Sequence, residues 1–381
     1  ILFGAPDLLA AWNDMNTLPS RLNLIHGESV PAASGLTLDV IDPAAEYVEP
    51  EIMRMRHLKS APMKPKGDFV TGRVVLFGNS DCEMAGCNPA EQMSYHFKNA
   101  QGDECLFIHF GSGVCHTMMG TLKFGPRDYL VIPKGIIYTI IWDKRKDDAD
   151  GGPPVAEMPF GKVLLIETTN GSHLGPPPRY ISKTTSQFLE HAPYCERDIR
   201  IPEFPLSWDE KGEFEVRIKA RDLVHSYTYH YHPLDVVGWQ GDNFPFTFNI
   251  ADYNVVGSER VHLVPTVHLF MQAAGVYVMN FLPRPAESTP GTERIPWYHR
   301  NVDYDEIAFF HGGSLYGIPM PPGLVSHAPQ GVHHGAPEKA RERARRKFDD
   351  YDRVDWSVIA IDTRRRLIPS EEILANDLGQ H

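Results

Sequence analysis

The sequence lacks any long apolar run. No segment approaches the roughly 18 to 20 continuous apolar residues that a membrane-spanning helix needs. The opening residues 1–12 contain neither a basic n-region nor a cleavage site of the kind found in secretory signals. We therefore expect no membrane partner and a protein that stays in the cytoplasm.

The sequence also lacks an excess of basic residues. Its formal net charge is −12 at pH 7, whereas a nucleic-acid surface needs lysine and arginine clustered on one face. The densest charge run, residues 338–353, carries both signs, which is typical of a solvated helix or loop. Nucleic acid is therefore not an expected partner.

Cysteine is scarce. The chain has 5 cysteines, an odd number without a CxxC pair of the zinc type. This usage is typical of unbridged thiols in a reducing compartment. Cys82 and Cys87 flank a glycine-containing stretch, and we interpret them as free thiols too.

Helical pattern is thin, while turn-forming residues are abundant. The 31 glycines and 32 prolines are spread between short apolar runs, which is typical of many short strands. The runs richest in strand-forming residues are 104–110, 129–133, 162–169, 276–282, 306–313 and 356–362. The main helical candidates are residues 186–192 and the charged run from Glu338. We predict an all-β or mostly β protein, with a hydrophobic content of 42% that can fill a sizeable core.

An internal repeat divides the chain. Residues 97–111 align without a gap with residues 299–313, and residues 133–138 align with residues 329–334 through a shared Pro-x-Gly turn. The first alignment pairs identical residues: Asn99 with Asn301, Asp103 with Asp305, Glu104 with Glu306, and Gly111 with Gly313. The chain is therefore predicted to contain two related β units.

The differences between the two copies point to a metal. Phe97 in the first copy is replaced by His299 in the second, and Tyr138 is replaced by His334. With Glu306, the second copy alone has three groups that can ligate a metal ion. A single histidine more often has a structural role, but two at the aligned motif ends are hard to ascribe to packing.

These half-motifs resemble the cupin pattern. The first half reads His299-x-Asn301 followed by Glu306 and Gly313, and the second reads Pro329-x-Gly331-x-x-His334. Asn301 replaces the second histidine of the pattern, which leaves a 2-His-1-carboxylate set. That set suits non-haem Fe(II) with coordination positions open for substrate and O2, and a closed four-ligand zinc site is less in keeping with it.

The resemblance implies a bicupin fold, with two β-barrel or jelly-roll units. Residues 1–250 would form an N-terminal β domain with a degenerate, metal-free cupin unit. Residues 251–381 would form the catalytic cupin domain.

A narrower resemblance concerns the homogentisate 1,2-dioxygenase family and its bacterial relatives. YHRN at residues 298–301, HGAP at 334–337 and the HPLDVVGW segment starting at His232 look like that family in the expected order, and the likeness covers about residues 53–369. It implies an Fe(II)-dependent ring-cleaving dioxygenase with a hydroquinone-type aromatic and O2 as substrates, both oxygen atoms being inserted. It also implies a homo-oligomer.

By this resemblance His299, Glu306 and His334 are the iron ligands. Asp305 is the alternative for the carboxylate. Glu306 is preferred because it occupies the cupin glutamate position before Gly313, as Glu104 does before Gly111 in the first copy.

The same family resemblance supplies an acid or base and a second histidine at the site. His262 matches the position of the catalytic histidine, with His268 as the alternative, and a histidine can exchange protons near neutral pH. His327 matches a hydrogen-bonding group over the iron or substrate. His333, directly before His334, should point away from the iron because strand residues alternate.

Tyr298, Arg300 and Tyr316 are candidates for substrate contact. Family members that use homogentisate place a tyrosine where this chain has Leu315, which favours a related hydroxylated aromatic. A metal-dependent cupin isomerase or lyase, and a non-catalytic bicupin binding protein, remain alternatives. His230 and His232 form a His-x-His pair that we interpret as structural.

Overall fold

The computed structural model describes residues 54–60, 63–145, 153–203, 210–221, 223–234, 243–260, 268–292, 294, 298–336 and 338–378. Among the described residues strands far outnumber helices, with 23 strands and two α-helices, so the prediction of a mostly β protein with few helices is confirmed. Within the described ranges, no helix is long and apolar enough to cross a membrane.

The strands of the first half, in chain order, are β1 Arg56–Lys59, β2 Arg73–Gly78, β3 Cys82–Cys87, β4 His96–Asn99, β5 Glu104–Phe110, β6 Gly113–Thr117, β7 Gly120–Phe124, β8 Asp128–Ile132, β9 Ile137–Trp142, β10 Lys162–Thr168, β11 Phe214–Ala220 and β12 Leu223–Tyr229. Those of the second half are β13 Phe246–Asn249, β14 Leu269–Ala273, β15 Val276–Phe281, β16 Arg284–Pro285, β17 Asp305–Gly312, β18 Ser314–Leu315, β19 Ile318–Pro319, β20 Leu324–Ala328, β21 Arg353–Val354, β22 Ser357–Thr363 and β23 Ile368–Pro369. The α-helices are α1 Glu338–Arg346 and α2 Glu371–Leu374. Short 3-10 turns lie at Pro178–Tyr180, Glu196–Asp198, Ile250–Asp252 and Phe348–Asp350.

The predicted strands agree with the structure. The six apolar runs coincide with β5, β8, β10, β15, β17 and β22 to within one residue at each end, and α1 forms in the charged run. The helix predicted over residues 186–192 is wrong. Phe188 instead forms a β-bridge with Ile181, and the Leu189 N–H donates to the Tyr180 carbonyl at 2.7 Å, so backbone pairing replaces helical bonds there.

Three large sheets build the molecule. The N-inner sheet has the strand order β13-β8-β5-β10-β3-β2-β23, the N-outer sheet the order β12-β11-β4-β9-β6-β7, and the C sheet the order β1-β20-β17-β22-β15-β14. The five-strand run β8-β5-β10-β3-β2 therefore recurs as β20-β17-β22-β15-β14. A register irregularity recurs as well, between Val75 and Phe77 in the first unit and between Leu269 and Met271 in the second. The two related β units predicted from the internal repeat are confirmed.

Sheet membership crosses the predicted domain boundary at both ends of the chain. Strand β1 precedes the first unit but pairs with β20 in the C sheet. Strand β23 follows the second unit but pairs with β2 in the N-inner sheet. The terminal strands therefore tie each unit to the other.

The N-inner and C sheets also share a core. Tyr129 stacks on Phe270 with ring centroids 4.5 Å apart, and its hydroxyl donates to Asn280 Oδ1 at 2.6 Å. Phe107 and Phe309, aligned in the repeat, have ring centroids 6.3 Å apart. One face of each sheet is thus buried between the units, which leaves the opposite faces to line each unit's own interior.

A histidine pair joins the two sheets beside Phe107 and Phe309 of this shared core. His109 and His311 occupy aligned positions of β5 and β17, and their Nδ1 atoms are 2.7 Å apart. Burial, then His311 and Lys162, lower the pKa of His109 well below its usual range. Burial, followed by Arg127, lowers the pKa of His311 to about 4. The pair is therefore neutral in the folded protein near neutral pH.

The histidine pair predicts acid sensitivity. Below the ordinary histidine pKa of about 6.5 the unfolded chain binds protons that the folded chain does not, so stability is complete above that pH and falls towards pH 4. The slope contributed by each histidine approaches about 1.4 kcal/mol per pH unit. Urea unfolding between pH 7 and about 4.5 measures it.

A variant that lacks one histidine of the pair tests whether the pair causes this loss of stability in acid. His311→Gln should give a shallower decline of the unfolding free energy than the unsubstituted protein, whereas His191→Gln, at an exposed position, should not change the slope. Identical slopes for the unsubstituted protein and His311→Gln would contradict this account.

Candidate metal site

The aligned half-motifs meet in the second unit. His299 and His334 form a β-bridge, in which the His299 N–H donates to the His334 carbonyl at 2.9 Å and the His334 N–H donates back at 2.7 Å. Their rings lie with centroids 4.4 Å apart. In the first unit the aligned residues Phe97 and Tyr138 pair in the same way. The predicted histidine pair therefore follows from a backbone pairing common to both units.

The Pro-x-Gly turn fixes the second half-motif against the first. The Gly331 N–H donates to the Asn301 carbonyl at 2.8 Å, and the Gly135 N–H donates to the Asn99 carbonyl at 2.7 Å in the first unit. Both glycines have positive φ, +76° and +87° respectively, a conformation that costs glycine little. The same turn thus brings the histidine after it beside the start of the first half-motif.

Glu306 completes the predicted set. Its Oε2 lies 4.0 Å from His334 Nε2 and accepts a hydrogen bond from Asn301 Nδ2 at 3.0 Å. The Asn301 side chain therefore orients the carboxylate.

His334 has its donor atom ready for a ligand role. Its Nδ1 lies 3.0 Å from the Val332 carbonyl, and because a carbonyl only accepts, Nδ1 carries the proton. In the neutral ring Nε2 then presents a lone pair, which is the form that binds metals. The side chain is only 5% exposed, and Nε2 is buried with no hydrogen-bond partner in the described structure. An orphaned imidazole nitrogen facing a carboxylate fits a metal ion.

The full set is not arranged around one point. Among the described residues, no three His, Cys, Asp or Glu side chains already have the arrangement of a metal site. His334 and Glu306 are preformed as a pair, and the His299 ring lies beside His334 at an interplanar angle of 58°. The residue types, two imidazoles and a carboxylate, suit Fe(II), Mn(II) or Zn(II).

Asp362 is a site residue that the sequence reasoning missed. It lies directly opposite Glu306 on the neighbouring strand, so both side chains project from the same face of the C sheet. Its Oδ1 is buried and has no hydrogen-bond partner among the described residues. Burial, with the Glu306 charge adding to it, raises the pKa of Asp362 well above its usual range. Only the strand register reveals this neighbour, because it lies far along the chain.

Asp305, the alternative carboxylate, has structural partners. Its Oδ1 accepts the Gln330 N–H at 2.9 Å, and its Oδ2 accepts the Leu367 N–H at 2.9 Å. Its repeat partner Asp103 likewise accepts backbone N–H groups, from Lys134 and Leu174. These bonds leave Glu306 as the better candidate ligand.

His327 does not lie over the candidate metal site, and this corrects its expected position. It is paired with Ile307 on β17, so it projects from the face opposite to Glu306. Its Nε2 lies 3.1 Å from Asp305 Oδ2, and its ring packs 5.1 Å from Phe77 in the core between the units. Spacing along the sequence could not fix which face it takes.

The expected acid/base lies outside the described residues. His262 belongs to residues 261–267, of which the structure describes none. The alternative, His268, is buried, with its ring 5.6 Å from Phe281. Tyr277 is the residue of β15 that lies opposite Asp362, and Phe281 follows it four residues later on the same strand. His268 therefore packs beside the last residue of β15.

The three candidate substrate contacts occupy different surroundings. Tyr298 is 57% exposed, and its ring stacks on that of His333 at 6.0 Å. Arg300 is exposed beside His299. Tyr316 instead is buried, and its hydroxyl lies 3.0 Å from the Arg294 carbonyl and 3.3 Å from Glu287. Tyr298 therefore packs with His333 rather than with the His299–His334 pair, and Tyr316 lies in a separate cluster.

The His-x-His pair of the first unit is not brought together. His230 is exposed and lies 3.7 Å from Glu213. His232 is buried, with its ring 5.3 Å from His96 and 4.7 Å from Phe214. The two rings therefore have different surroundings, in keeping with the structural interpretation.

The first unit keeps the carboxylate but neutralises it differently. Arg73 NH1 lies 2.6 Å from Glu104 Oε1, and the Tyr138 hydroxyl donates to Glu104 Oε2 at 2.7 Å. The guanidinium also lies over the rings of Phe69 and Phe97, at 4.6 Å and 5.4 Å. Arginine and aromatic side chains thus surround the carboxylate that corresponds to Glu306.

A second ion pair follows in the same unit. Glu167 lies opposite Glu104, and its Oε2 is 2.7 Å from Lys219 Nζ. Burial acts to raise the pKa of Glu167, but the charge and hydrogen bond of Lys219, with Asn99 and Arg73, together outweigh it, so the net shift of the pKa is downward. Asp362, at the corresponding position, shifts in the opposite direction.

Comparison with known proteins gives distant relatives. No family model matches the chain. A protein of Saccharolobus solfataricus named "Putative dioxygenase" is 26% identical over 318 residues, which cover 82% of this chain and 76% of that protein.

Among solved structures, a cupin 2 conserved barrel domain protein from Leptotrichia buccalis aligns over 82% of this chain and 98% of its own, with a TM-score of 0.35 and 10% identity. A Bacillus subtilis oxalate decarboxylase, described as having Mn(II) centres, aligns over 86% of this chain and 80% of its own, with a TM-score of 0.33 and 10% identity.

The buried pair in the first unit can be tested by substitution. Arg73→Met should lower the free energy of unfolding by about 3–5 kcal/mol, because it leaves a buried carboxylate without its cation. The double variant Arg73→Met/Glu104→Gln should recover much of that loss. Urea unfolding measures both, and a single variant as stable as the unsubstituted protein would refute the assigned role of Arg73.

Proposed function

We propose that the protein is a cupin-type metalloenzyme, an Fe(II)-dependent ring-cleaving dioxygenase that acts on a hydroquinone-type aromatic. The observation that carries this proposal is the buried, unpartnered Nε2 of His334, which faces Glu306 beside His299. The dioxygenase name of the Saccharolobus relative supports the reaction class. The family resemblance at the same residues supports ring cleavage.

His299, Glu306 and His334 would hold the iron. When bound, Fe(II) would supply the redox chemistry that allows O2 to react with an electron-rich ring. Two neutral imidazoles and one carboxylate leave coordination positions open for substrate. The ring carbon–carbon bond beside a hydroxyl-bearing carbon breaks, and both atoms of O2 enter the product.

The surrounding residues have defined supporting roles in this proposal. Asn301 holds Glu306 through a 3.0 Å hydrogen bond, and the Val332 carbonyl holds the proton on His334 Nδ1. Such contacts keep ligands in a fixed orientation and protonation state. Ala308, Phe310 and Val358 form an apolar cluster on the same sheet face, which limits water below the site.

Substrate would enter past Tyr298 and Arg300. Both are exposed next to His299, so an arginine and an aromatic ring are available to an aromatic acid. His262 remains the proposed acid/base for the substrate hydroxyl. The place of Leu315 favours a hydroxylated aromatic with a ring substituent other than that of homogentisate.

Oxygen uptake tests the proposal directly. The protein is reconstituted anaerobically with Fe(II) and then mixed with O2 and homogentisate, gentisate or simpler hydroquinones. We expect one O2 consumed per substrate and a new near-ultraviolet absorbance of the ring-opened product. His334→Ala should lower the rate at least about 100-fold, since even outer-shell partners of a metal contribute 10- to 100-fold.

His230→Ala is the matched control, because it removes an exposed histidine of the first unit, and it should retain full activity. No O2 uptake with any substrate, together with tight binding of Zn(II) or Mn(II), would replace the proposal with an isomerase or lyase. If the protein showed neither metal binding nor activity, the proposal would be replaced by that of a non-catalytic binding protein.

A further inference from the structure

Each unit places two carboxylates directly opposite each other on neighbouring strands. Glu104 faces Glu167 in the first unit, and Glu306 faces Asp362 in the second. Side chains at directly opposite positions have Cβ atoms about 4.5–5.5 Å apart. Two negative charges at that distance, away from water, need neutralisation.

The first unit neutralises its pair with two side-chain cations. Arg73 lies 2.6 Å from Glu104, and Lys219 lies 2.7 Å from Glu167. The two carboxylates are 0% and 1% exposed. Two negative charges are thus balanced by two positive charges.

The second unit keeps the carboxylates without those cations. In the part of the chain that the structure describes, neither Glu306 nor Asp362 forms an ion pair with lysine or arginine, and His334 Nε2 is the basic atom 4.0 Å from Glu306. Extending the β2/β14 correspondence by two residues beyond the start of β14 places Val267 at the position that corresponds to Arg73 in the sequence, and this position lies outside the described residues. The described residues therefore supply no lysine or arginine to balance this pair.

We propose that Asp362 is a fourth residue of the metal site and that the two carboxylates together hold a divalent cation. One divalent ion replaces the two monovalent side chains of the first unit, so the charge balance is the same. This inference rests on the proposed function, because it assigns the same ion to His299, Glu306 and His334. Asp362 Oδ1 is buried and without a hydrogen-bond partner among the described residues, so it can bind the ion directly or through a coordinated water.

An independent observation points to a ligand at the same place. His334 is 95% buried, with 5% of its side chain exposed, and its Nε2 has no partner in the described structure. That nitrogen lies 4.0 Å from Oε2 of Glu306, one member of the carboxylate pair. A cation between the imidazole and the two carboxylates would give the unpartnered His334 Nε2 and Asp362 Oδ1 a common ligand, with Glu306 beside them.

Mn(II) titration calorimetry on the metal-stripped full chain tests the role of Asp362 without requiring turnover. The unsubstituted protein should bind one Mn(II) per chain. Asp362→Asn should bind it 10- to 100-fold more weakly, as expected for loss of a charged partner at a metal site. Asp303→Asn removes the same charge from an exposed position nearby and should bind normally.

Two more variants keep the outcomes distinct. Asp362→Glu, which retains the charge, should recover most of the affinity. Asp362→Asn should be at least as stable as the unsubstituted protein when metal-free, because it relieves the carboxylate repulsion, but should gain less thermal stability from Mn(II). Equal Mn(II) affinity in Asp362→Asn and the unsubstituted protein would overturn the inference. Absence of binding in the unsubstituted protein, with His334→Ala identical to it, would instead overturn the proposed function.

Discussion

The strict alternation of side chains across the C sheet is the constraint on which the rest of the structure depends. Ile307 and Ile361 lie opposite each other and enter the core shared with the N-inner sheet. Glu306 and Asp362, one residue away on the same strands, lie opposite each other on the other face. A shift of one residue in register would exchange these sets. Carboxylates would then enter an apolar core, and the candidate ligands would lose His334.

Apolar burial between the units therefore fixes the polar site indirectly. The shared core includes Tyr129 stacked on Phe270, and the Tyr129 hydroxyl is bonded to Asn280 on the partner sheet. Because this packing fixes the register of β17 against β22, it also fixes which side chains project from the opposite face of the C sheet. The exchange of β1 and β23 between the sheets adds a second tie. The core between the units thus determines the geometry of a site that it does not contact.

The duplication shows how one frame supports two electrostatic arrangements. Strand order, the β2 and β14 irregularities and the Pro-x-Gly hydrogen bonds are common to both units. The residues at two aligned positions differ: Phe97 and Tyr138 in one unit, His299 and His334 in the other. In the first unit these aromatic side chains pack around Arg73, so its carboxylate pair is permanently neutralised. In the second unit, neutral imidazoles cannot balance a carboxylate charge. Each of them instead offers a nitrogen lone pair that can bind a metal ion.

Local features of the sequence were enough to predict the strands, the repeat and the meeting of His299 with His334. Each depends on short-range pattern or on an alignment of two similar segments. The face taken by His327 could not be predicted, because it depends on how β20 pairs with β17. Asp362 was missed for the same reason, since its closeness to Glu306 arises only from the register of β22 against β17. The expected helix at residues 186–192 failed because the pairing of Phe188 with Ile181 outweighs local helical spacing.

The contrast between the units bears on what the first unit contributes to the molecule. In the first unit the Glu104 carboxylate is neutralised by Arg73, a side chain of the same protein that cannot dissociate. The Arg73 guanidinium lies against the rings of Phe69 and Phe97, so an exchangeable ligand such as a metal ion has no room to bind Glu104. That arrangement stabilises the N-inner sheet without any cofactor, and the N-inner sheet supports the C sheet through the shared core. Under the proposed function, the carboxylates of the second unit are instead neutralised by an exchangeable metal ion, which keeps coordination positions open. The stability that such an open site lacks is supplied by the closed copy packed against its back.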